Sequence, residues 1–226
     1  MAEPATCDDA ELRGFAEEAQ IMAMPGMVRR WTRQEVQALP EDGNRYELFD
    51  GELLVSPSSG LRHQLAITRL WELLQPFVAA HSLGVVLTSP ADLSLGGEQL
   101  SQPDLFVLPS LPHNLTWAET VLPLLVVEIL SPATARHDRL VKRRRFQRAR
   151  VPEYWIVDLD ARVVERWRPD DERPEVLVET LEWRPAGPDP VLTVDLASYF
   201  TAITGQGGTP APPATPPAST PGGSPS

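Results

Sequence analysis

Two acidic residues in the middle of the sequence lie within apolar runs, where a carboxylate is unexpected. Glu128 belongs to the segment LLVVEIL, residues 124–130, whose six apolar residues predict a strand that is covered on both faces. Burying an ionised carboxylate in such a strand costs on the order of several kcal/mol unless a cation meets it. The sequence therefore predicts a metal ion or a buried cationic side chain beside Glu128, unless this residue emerges into water at the strand end.

Asp104 opens a second apolar run, residues 103–108, and alternation along a strand places it on one face with Phe106 and Leu108. An aspartate at the start of a strand is commonly a cap or a turn residue. Two acids on two successive strands, each beside apolar residues, form a less ordinary pattern. We therefore expect Asp104 and Glu128 to face one pocket.

A strongly basic segment covers residues 131–150, and its only acid is Asp138. Its eight basic residues are Arg136, Arg139, Lys142, Arg143, Arg144, Arg145, Arg148 and Arg150. Such a segment is commonly a solvated helix face. In a chain with a net charge of -11, it is also the part best suited to meet the phosphates of nucleic acid, which the chain as a whole would repel.

The spacing within the basic segment predicts a helix over residues 136–150. Lys142 and Phe146 are four residues apart and share the face that Phe146 marks as buried, whereas Arg143 and Arg144 point outward. Lys142 is the only lysine in the chain. A lysine ammonium is a compact point charge suited to catalysis; the alternative is that chance placed the one lysine here.

A helix that begins near residue 61 should face the sheet with one apolar stripe. The stripe consists of His63, Ile67, Leu70, Trp71, Leu74 and Val78. Pro76 is expected to kink or end this helix. A lone histidine near the start of the stripe is either a catalytic group or, more commonly, a satisfied core or capping residue.

The remaining patterns predict an alternation of helices and strands. Thr32 and Glu35 have capping-box spacing for a helix over residues 33–39. Asp50-Gly51 predicts a type I′ turn in a hairpin. The predicted strands cover residues 45–49, 52–56, 84–88, 103–108, 124–130, 153–158, 163–167 and 175–181, with a last helical turn at 196–200.

Length and composition indicate one globular domain with two extensions. We predict an N-terminal extension at residues 1–27, a folded domain at 28–202 and a disordered tail at 203–226, because the tail is rich in Pro, Gly, Ser and Thr. The single Cys7 excludes an intrachain disulfide, which fits a reducing cytoplasm. No apolar run approaches the ~18 residues of a membrane-spanning helix, so a membrane partner is not expected.

Six short motifs between residues 28 and 200 occur together. They are RYELFDGEL at 45–53, the pair His63-Gln64, QPD at 102–104, VVEILSPAT at 126–134, the spacing from Asp138 to Lys142, and VPEYWIVD at 151–158. As a set they resemble Uma-type restriction endonuclease domains, a bacterial branch of the PD-(D/E)xK nuclease superfamily. The resemblance leaves the two extensions unmatched.

The resemblance implies an α/β (α+β) restriction-endonuclease-like core: a central mixed β-sheet flanked by helices, with an N-terminal hairpin and a C-terminal strand meander. In the superfamily, a lysine stands two residues after the second acid on the same strand. Here Glu128 is followed by Ile129 and Leu130 instead. Lys142, on the next helix, matches the displaced lysine of Uma-type domains.

The resemblance also implies metal-assisted hydrolysis of phosphodiesters. Asp104 and Glu128 would bind Mg²⁺ or Mn²⁺ as hard oxygen ligands, and Lys142 would orient or deprotonate the attacking water. Glu47 matches an additional acid that the family presents ahead of the sheet, unless it is a surface carboxylate of the hairpin. His63 would contact substrate or water.

The implied partner is nucleic acid, with DNA the expected substrate, and many nucleases of this fold act as homodimers. Arg139, Arg143 and Arg144 would track the nucleic-acid backbone without reading its sequence. Two other functions stay open. One is a catalytically silent module that binds nucleic acid or a protein partner, and the other is a metal-dependent phosphohydrolase acting on a smaller substrate, which the acidity of the chain would suit.

Overall fold

The computed structural model describes residues 29–204, with the exception of 58, 98, 111–120 and 133. The predicted extension at 1–27, and the predicted tail apart from residues 203 and 204, lie outside the described residues. The described chain forms two compact units. Among the described residues, the first contains 29–57, 89–103 and 121–122, and the second contains 59–88, 104–110 and 123–204.

The first unit is built on the predicted hairpin. Strands β1 (Arg45–Phe49) and β2 (Glu52–Ser56) pair antiparallel. Asp50 and Gly51 join them with φ values of 51° and 83°, as a type I′ turn requires. Helix α1 (Arg33–Gln37) begins at the predicted capping box. A small core of Val36, Leu48 and Leu100 joins α1, the hairpin and the segment that follows it in this unit.

The second unit contains a six-stranded sheet, whose strands lie side by side in chain order. They are β3 (Gly84–Thr88), β4 (Leu105–Pro109), β5 (Leu125–Ile129), β6 (Tyr154–Asp158), β7 (Val163–Trp167) and β8 (Glu175–Leu177). Strands β5 and β6 are parallel, and every other neighbouring pair is antiparallel. The implied mixed sheet is therefore confirmed, and its one parallel pair requires a crossover, which the basic segment supplies.

Helices cover both faces of this sheet. On one face, α2 (Leu61–Ala80) and a C-terminal helix, which we label α5 (Leu196–Thr204), share the main core with alternate residues of the central strands. The basic helix covers the other face. It consists of α3 (Ala135–His137), a π-helical turn π1 (Asp138–Lys142) and α4 (Arg143–Arg148).

Four sequence predictions need correction. Trp71, which was predicted on the buried face of α2, is 41% exposed. Ala66 lies on the buried face of this helix, although it was not predicted there. Helix α2 does not end at Pro76 but continues to Ala80, and a kink at this proline, which lacks a backbone N–H to donate, stays a prediction. The predicted strand over 175–181 is two strands. Its second part belongs to β9 (Thr180–Trp183), which pairs with β10 (Leu192–Asp195) in a separate sheet.

The fourth correction concerns the basic helix, which was predicted as one regular α-helix. Its middle turn, π1, is wider than an α-helical turn. Within the described part of the chain, no helix combines the length and the apolar character needed to cross a membrane.

Candidate active site

The two predicted acids lie opposite each other at one end of a strand pair. Leu105 of β4 pairs with Val127 of β5, and continuing this register by one residue places Asp104 opposite Glu128. Leu105 and Val127 belong to the main core, so alternation turns both acids toward the face that the basic helix covers. Each acid is only 2% exposed.

The carboxylate of Asp104 is held by two neighbours. Its Oδ2 accepts a hydrogen bond of 2.8 Å from the backbone N–H of Ile129 and lies 3.0 Å from Nε2 of His63. The same Nε2 is 3.1 Å from the carbonyl oxygen of Ile129. His63 comes from the first turn of α2, so this helix fixes the orientation of one acid.

Glu128 meets the cation that its burial requires. Nζ of Lys142 donates a hydrogen bond of 2.8 Å to Oε1 of Glu128, and the lysine is 1% exposed. The same Nζ is 3.5 Å from Oδ1 of Asp138, which is also 1% exposed. The alternative of a Glu128 that emerges into water is therefore wrong.

Asp138 is a member of this cluster that was not predicted as a site residue. Its signal in the sequence was its distance of four residues from Lys142, combined with being the only acid of the basic segment. Both residues belong to π1, and π-helical turns occur frequently at functional sites. The turn directs both side chains toward the sheet.

The cluster contains three buried carboxylates. Glu128 and Asp138 lie within 3.5 Å of the ammonium of Lys142, and Asp104 lies beside His63. Carboxylate oxygens are ligands that hard divalent ions prefer, so the donor atoms of this cluster fit such an ion.

The metal site stays a prediction. Among the described residues, no three His, Cys, Asp or Glu side chains are arranged to hold a metal ion by themselves. Mg²⁺ commonly uses one or two carboxylates and takes its remaining ligands from water and substrate phosphate, and Asp104 and Glu128 are the pair predicted for that role.

Glu47, the additional acid implied by the resemblance, lies on β1 in the first unit. It is fully buried, so the alternative of a surface carboxylate is wrong. Its Oε1 accepts hydrogen bonds of 2.9 Å from Ser101 Oγ and from the backbone N–H of Gln102. A chemical role for Glu47 stays a prediction.

The three arginines predicted to face nucleic acid have different environments. Arg144 is exposed. Arg139 is half-buried and pairs with Glu165 at 2.6 Å and Asp158 at 3.1 Å, and its hydrogen bond to Glu165 raises its pKa. The guanidinium of Arg139 is therefore paired with two acids of the protein itself.

Arg143 does not point outward as predicted. Its guanidinium lies over the ring of Trp167, 4.4 Å from the ring centre, and burial lowers its pKa. A guanidinium stacks favourably on an aromatic face, and such a partner on a neighbouring strand is not visible in helical spacing.

Comparison with known proteins shows the fold and the family of the chain. The fold is similar to that of a structure described as a "putative nuclease belonging to DUF820" from Anabaena variabilis ATCC 29413, with a TM-score of 0.65 and 18% identity. The match covers 76% of this chain and 99% of that chain. Residues 33–199 match the family Uma2, described as "Putative restriction endonuclease", and the chain belongs to this family. No curated protein matches the chain.

Proposed function

We propose that the protein is a metal-dependent endonuclease that hydrolyses phosphodiester bonds of nucleic acid, with DNA the expected substrate. The observation that supports this proposal most is the buried contact between Lys142 and Glu128, beside Asp104, in a chain of a restriction endonuclease family. An ammonium and two carboxylates at one strand end are the groups needed to hold a metal ion and to act on a phosphate.

In this proposal Asp104 and Glu128 hold the metal ion. When bound there, Mg²⁺ or Mn²⁺ would polarise the scissile phosphate and lower the pKa of an attacking water. Asp104 is oriented for this task by Ile129 and His63, which hold its Oδ2. Ligands fixed by such contacts bind metal more tightly than ligands free to rotate.

Lys142 supplies positive charge at the reaction centre. Its ammonium would stabilise the negative charge that develops on the phosphoryl oxygens, or orient the attacking water. Glu128 and Asp138 fix its position from two sides. Lysine suits this place because its ammonium has three donors and can contact a carboxylate and a phosphate at once.

His63 and Glu47 have supporting roles in the proposal. His63 touches the Asp104 carboxylate directly, so it would position that ligand rather than attack the substrate. Glu47 is proposed as an additional acid on the strength of the motif match alone, and its substitution by glutamine belongs in the same assay.

The test is cleavage of supercoiled plasmid by the purified full-length protein with Mg²⁺, with Mn²⁺ and with EDTA. The variants are Asp104→Asn, Glu128→Gln and Lys142→Met. Glu153→Gln is the matched control, because Glu153 is also buried but lies at the opposite end of the parallel pair β5–β6. Circular dichroism checks that each variant is folded.

We expect metal-dependent nicking by the wild type and by Glu153→Gln, with a loss of at least about 100-fold in the three site variants. Equal nicking by wild type and Glu128→Gln would contradict the proposal. If every variant binds DNA and the wild type does not cut it, the protein is the catalytically silent module. A wild type that cleaves short phosphodiesters but not plasmid would instead support the smaller-substrate alternative.

A further inference from the structure

A cleft of about 360 Å³ lies beside the C-terminal half of the basic helix. Its lining residues are Arg144, Gln147, Arg148, Arg150 and Pro169. The first three come from α4, Arg150 follows this helix, and Pro169 follows β7. Arg144 is two residues beyond Lys142, so it points roughly 200° away around the helix axis. The cleft therefore opens on the side of the helix that faces away from the acidic cluster.

Arg144 and Arg148 carry the uncompensated charge of this cleft. They are four residues apart on α4 and both are exposed, which places their side chains on one face. Neither forms an ion pair with an acid in the part of the chain that the structure describes. By contrast, Arg150 is paired with Asp170, its two terminal nitrogens lying 2.6 and 3.3 Å from the two carboxylate oxygens.

The positive charges of Arg144 and Arg148 contribute to lowered pKa values of two neighbouring arginines. The pKa of Arg143 is lowered by burial first and then by the charge of Arg144. The pKa of Arg145 is lowered by burial first and then by the charge of Arg148. An anion between Arg144 and Arg148 would relieve this repulsion.

The walls of the cleft are fixed before any ligand arrives. Nε2 of Gln147 donates hydrogen bonds of 2.8 and 2.9 Å to the carbonyl oxygens of Arg168 and Asp171, which ties α4 to the connection between β7 and β8. Arg150 has a φ of 62°, and its ion pair with Asp170 joins the end of the helix to the same connection. Preorganisation of this kind reduces the entropy lost on binding.

We propose that this cleft binds phosphates of the nucleic-acid backbone at a distance from the bond that is cut, through the guanidinium groups of Arg144 and Arg148. The inference rests on the proposed function. Guanidinium groups match phosphate geometry and remain charged at every working pH. The chain as a whole has a charge of -11 and repels nucleic acid, so a local site of this kind must supply the attraction.

The inference also separates the basic residues by role. Arg139 and Arg143, which the sequence placed with Arg144, are engaged by acids and by an aromatic ring of the protein itself. Their guanidinium groups are therefore less available to phosphate than those of Arg144 and Arg148, and a contact of Arg139 or Arg143 with the nucleic-acid backbone stays a prediction. Arg148, which was not singled out from the sequence, joins Arg144 in the proposed site.

The test measures equilibrium binding of fluorescent duplex DNA and duplex RNA of one sequence by the full chain, without divalent metal, over a range of salt concentrations. The variant is Arg144→Gln/Arg148→Gln. The matched control, Arg69→Gln/Arg184→Gln, removes the same charge from exposed arginines that are paired with Glu72 and Glu182. Both control residues lie outside the basic helix.

We expect the variant to bind about tenfold more weakly or worse near 0.1 M salt, because non-specific affinity comes mainly from phosphate contacts. The slope of log K against log salt should become shallower by about two, one for each lost contact. The control should keep the wild-type slope. If DNA and RNA respond alike, the backbone phosphate is the ligand, and if only one responds, the site prefers that duplex.

Cleavage kinetics separate this inference from the proposed function. The Arg144→Gln/Arg148→Gln variant should have a raised KM on plasmid and an unchanged kcat, since the substituted residues are remote from the reacting atoms. If the variant keeps the wild-type slope of log K against log salt, the inference is wrong. The proposed function would be unaffected by that result as long as the wild type cleaves plasmid. A wild type that binds neither duplex would overturn the inference whatever the cleavage assay shows.

Discussion

Nζ of Lys142 lies 2.8 Å from Oε1 of Glu128, although the two residues belong to different elements and are 14 positions apart. In the nuclease superfamily that the chain resembles, the lysine follows the acid on the same strand, where Ile129 and Leu130 stand here. Lys142, on the crossover helix, contacts the acid that the strand lysine would follow. This contact supports the prediction that Lys142 replaces the strand lysine.

The first prediction concerns the stability of this pair. Lys142→Met should lower the free energy of unfolding by about 3–5 kcal/mol, because it leaves the buried Glu128 carboxylate without its cation. Adding Glu128→Gln should recover part of the loss, since the uncompensated charge is then removed. Urea denaturation of both single variants and the double variant measures the coupling.

The control for this cycle is Arg148→Met, which removes an exposed basic side chain from the same helix and should change stability by no more than about 0.5 kcal/mol. Equal destabilisation by Lys142→Met and Arg148→Met would contradict a buried, paired lysine. Strictly additive effects of the two site substitutions would show that Lys142 and Glu128 do not interact in solution.

Local patterns predicted the elements that local forces decide. The hairpin has its predicted bounds because Asp50-Gly51 alone can supply two successive positive φ values there. The apolar runs around Asp104 and Glu128 became the predicted neighbouring strands. The buried orientation of Lys142 followed from its spacing to Phe146, which is fully buried.

Features that depend on distant partners were not predictable. The separate sheet of β9 and β10 forms because Trp183 and Leu181 enter the main core, which the local alternation around 175–181 does not reveal. The half-buried position of Arg143 depends on its stacking on Trp167, 24 residues away. The spacing of four residues between Asp138 and Lys142 was visible in a motif, but the π-helical turn that contains both residues is not predicted by any residue pattern.

The second prediction assigns Asp138 a positioning role. Asp138→Asn removes the carboxylate that lies 3.5 Å from Nζ of Lys142, so the ammonium should lose its fixed place. We expect kcat to fall by about 10- to 100-fold, a range common for residues that orient the side chains of a metal site without binding the metal. KM should change little. Asp138→Glu should recover part of the activity.

Steady-state cleavage kinetics with Asp138→Asn and Asp138→Glu check this role, and melting temperatures show whether folding is affected. A merely structural role would lower stability and the active fraction in both variants without a rescue by glutamate. Wild-type kcat in Asp138→Asn would show that Lys142 needs only Glu128.

The third prediction concerns pH and a buried acid outside the site. Burial raises the pKa of Glu153 above its usual value of 4.5, although Trp155 donates a hydrogen bond of 2.7 Å to it and Arg166 and Arg168 lie nearby. The folded protein therefore holds this proton more tightly than the unfolded chain. The contribution of Glu153 to stability is largest below pH 4.5 and falls as pH rises from 4.5 through the raised pKa of this residue in the folded protein.

Chemical denaturation at a series of pH values checks this sign. Glu153→Gln removes the group that causes this loss of stability. The unfolding free energy of the variant should therefore increase relative to that of the wild type as pH rises from 4.5 through the raised pKa of Glu153. Glu175→Gln is an informative comparison, because its carboxylate pairs with Arg166 at 2.8 Å and has a lowered pKa. The same trend in both variants would contradict a specific effect of burial at Glu153.

The fourth prediction fixes the proton on His63. Its Nε2 lies 3.0 Å from a carboxylate oxygen of Asp104 and 3.1 Å from the carbonyl oxygen of Ile129, and both atoms can only accept when the acid is ionised. Nε2 must therefore carry the hydrogen. Nδ1 is buried without a hydrogen-bond partner among the described residues, which suits a nitrogen that carries no hydrogen.

Long-range ¹H–¹⁵N correlation spectra of histidine side chains distinguish the two tautomers. We expect the Nε2–H tautomer for His63. The signals of this residue are assigned by their absence from the spectrum of His63→Ala. Asp104→Asn should weaken the preference, because an amide side chain can donate to Nε2 as well as accept from it. An Nδ1–H tautomer in the wild type would mean that His63 does not donate a hydrogen bond to Asp104, and His63 would then not position that proposed metal ligand.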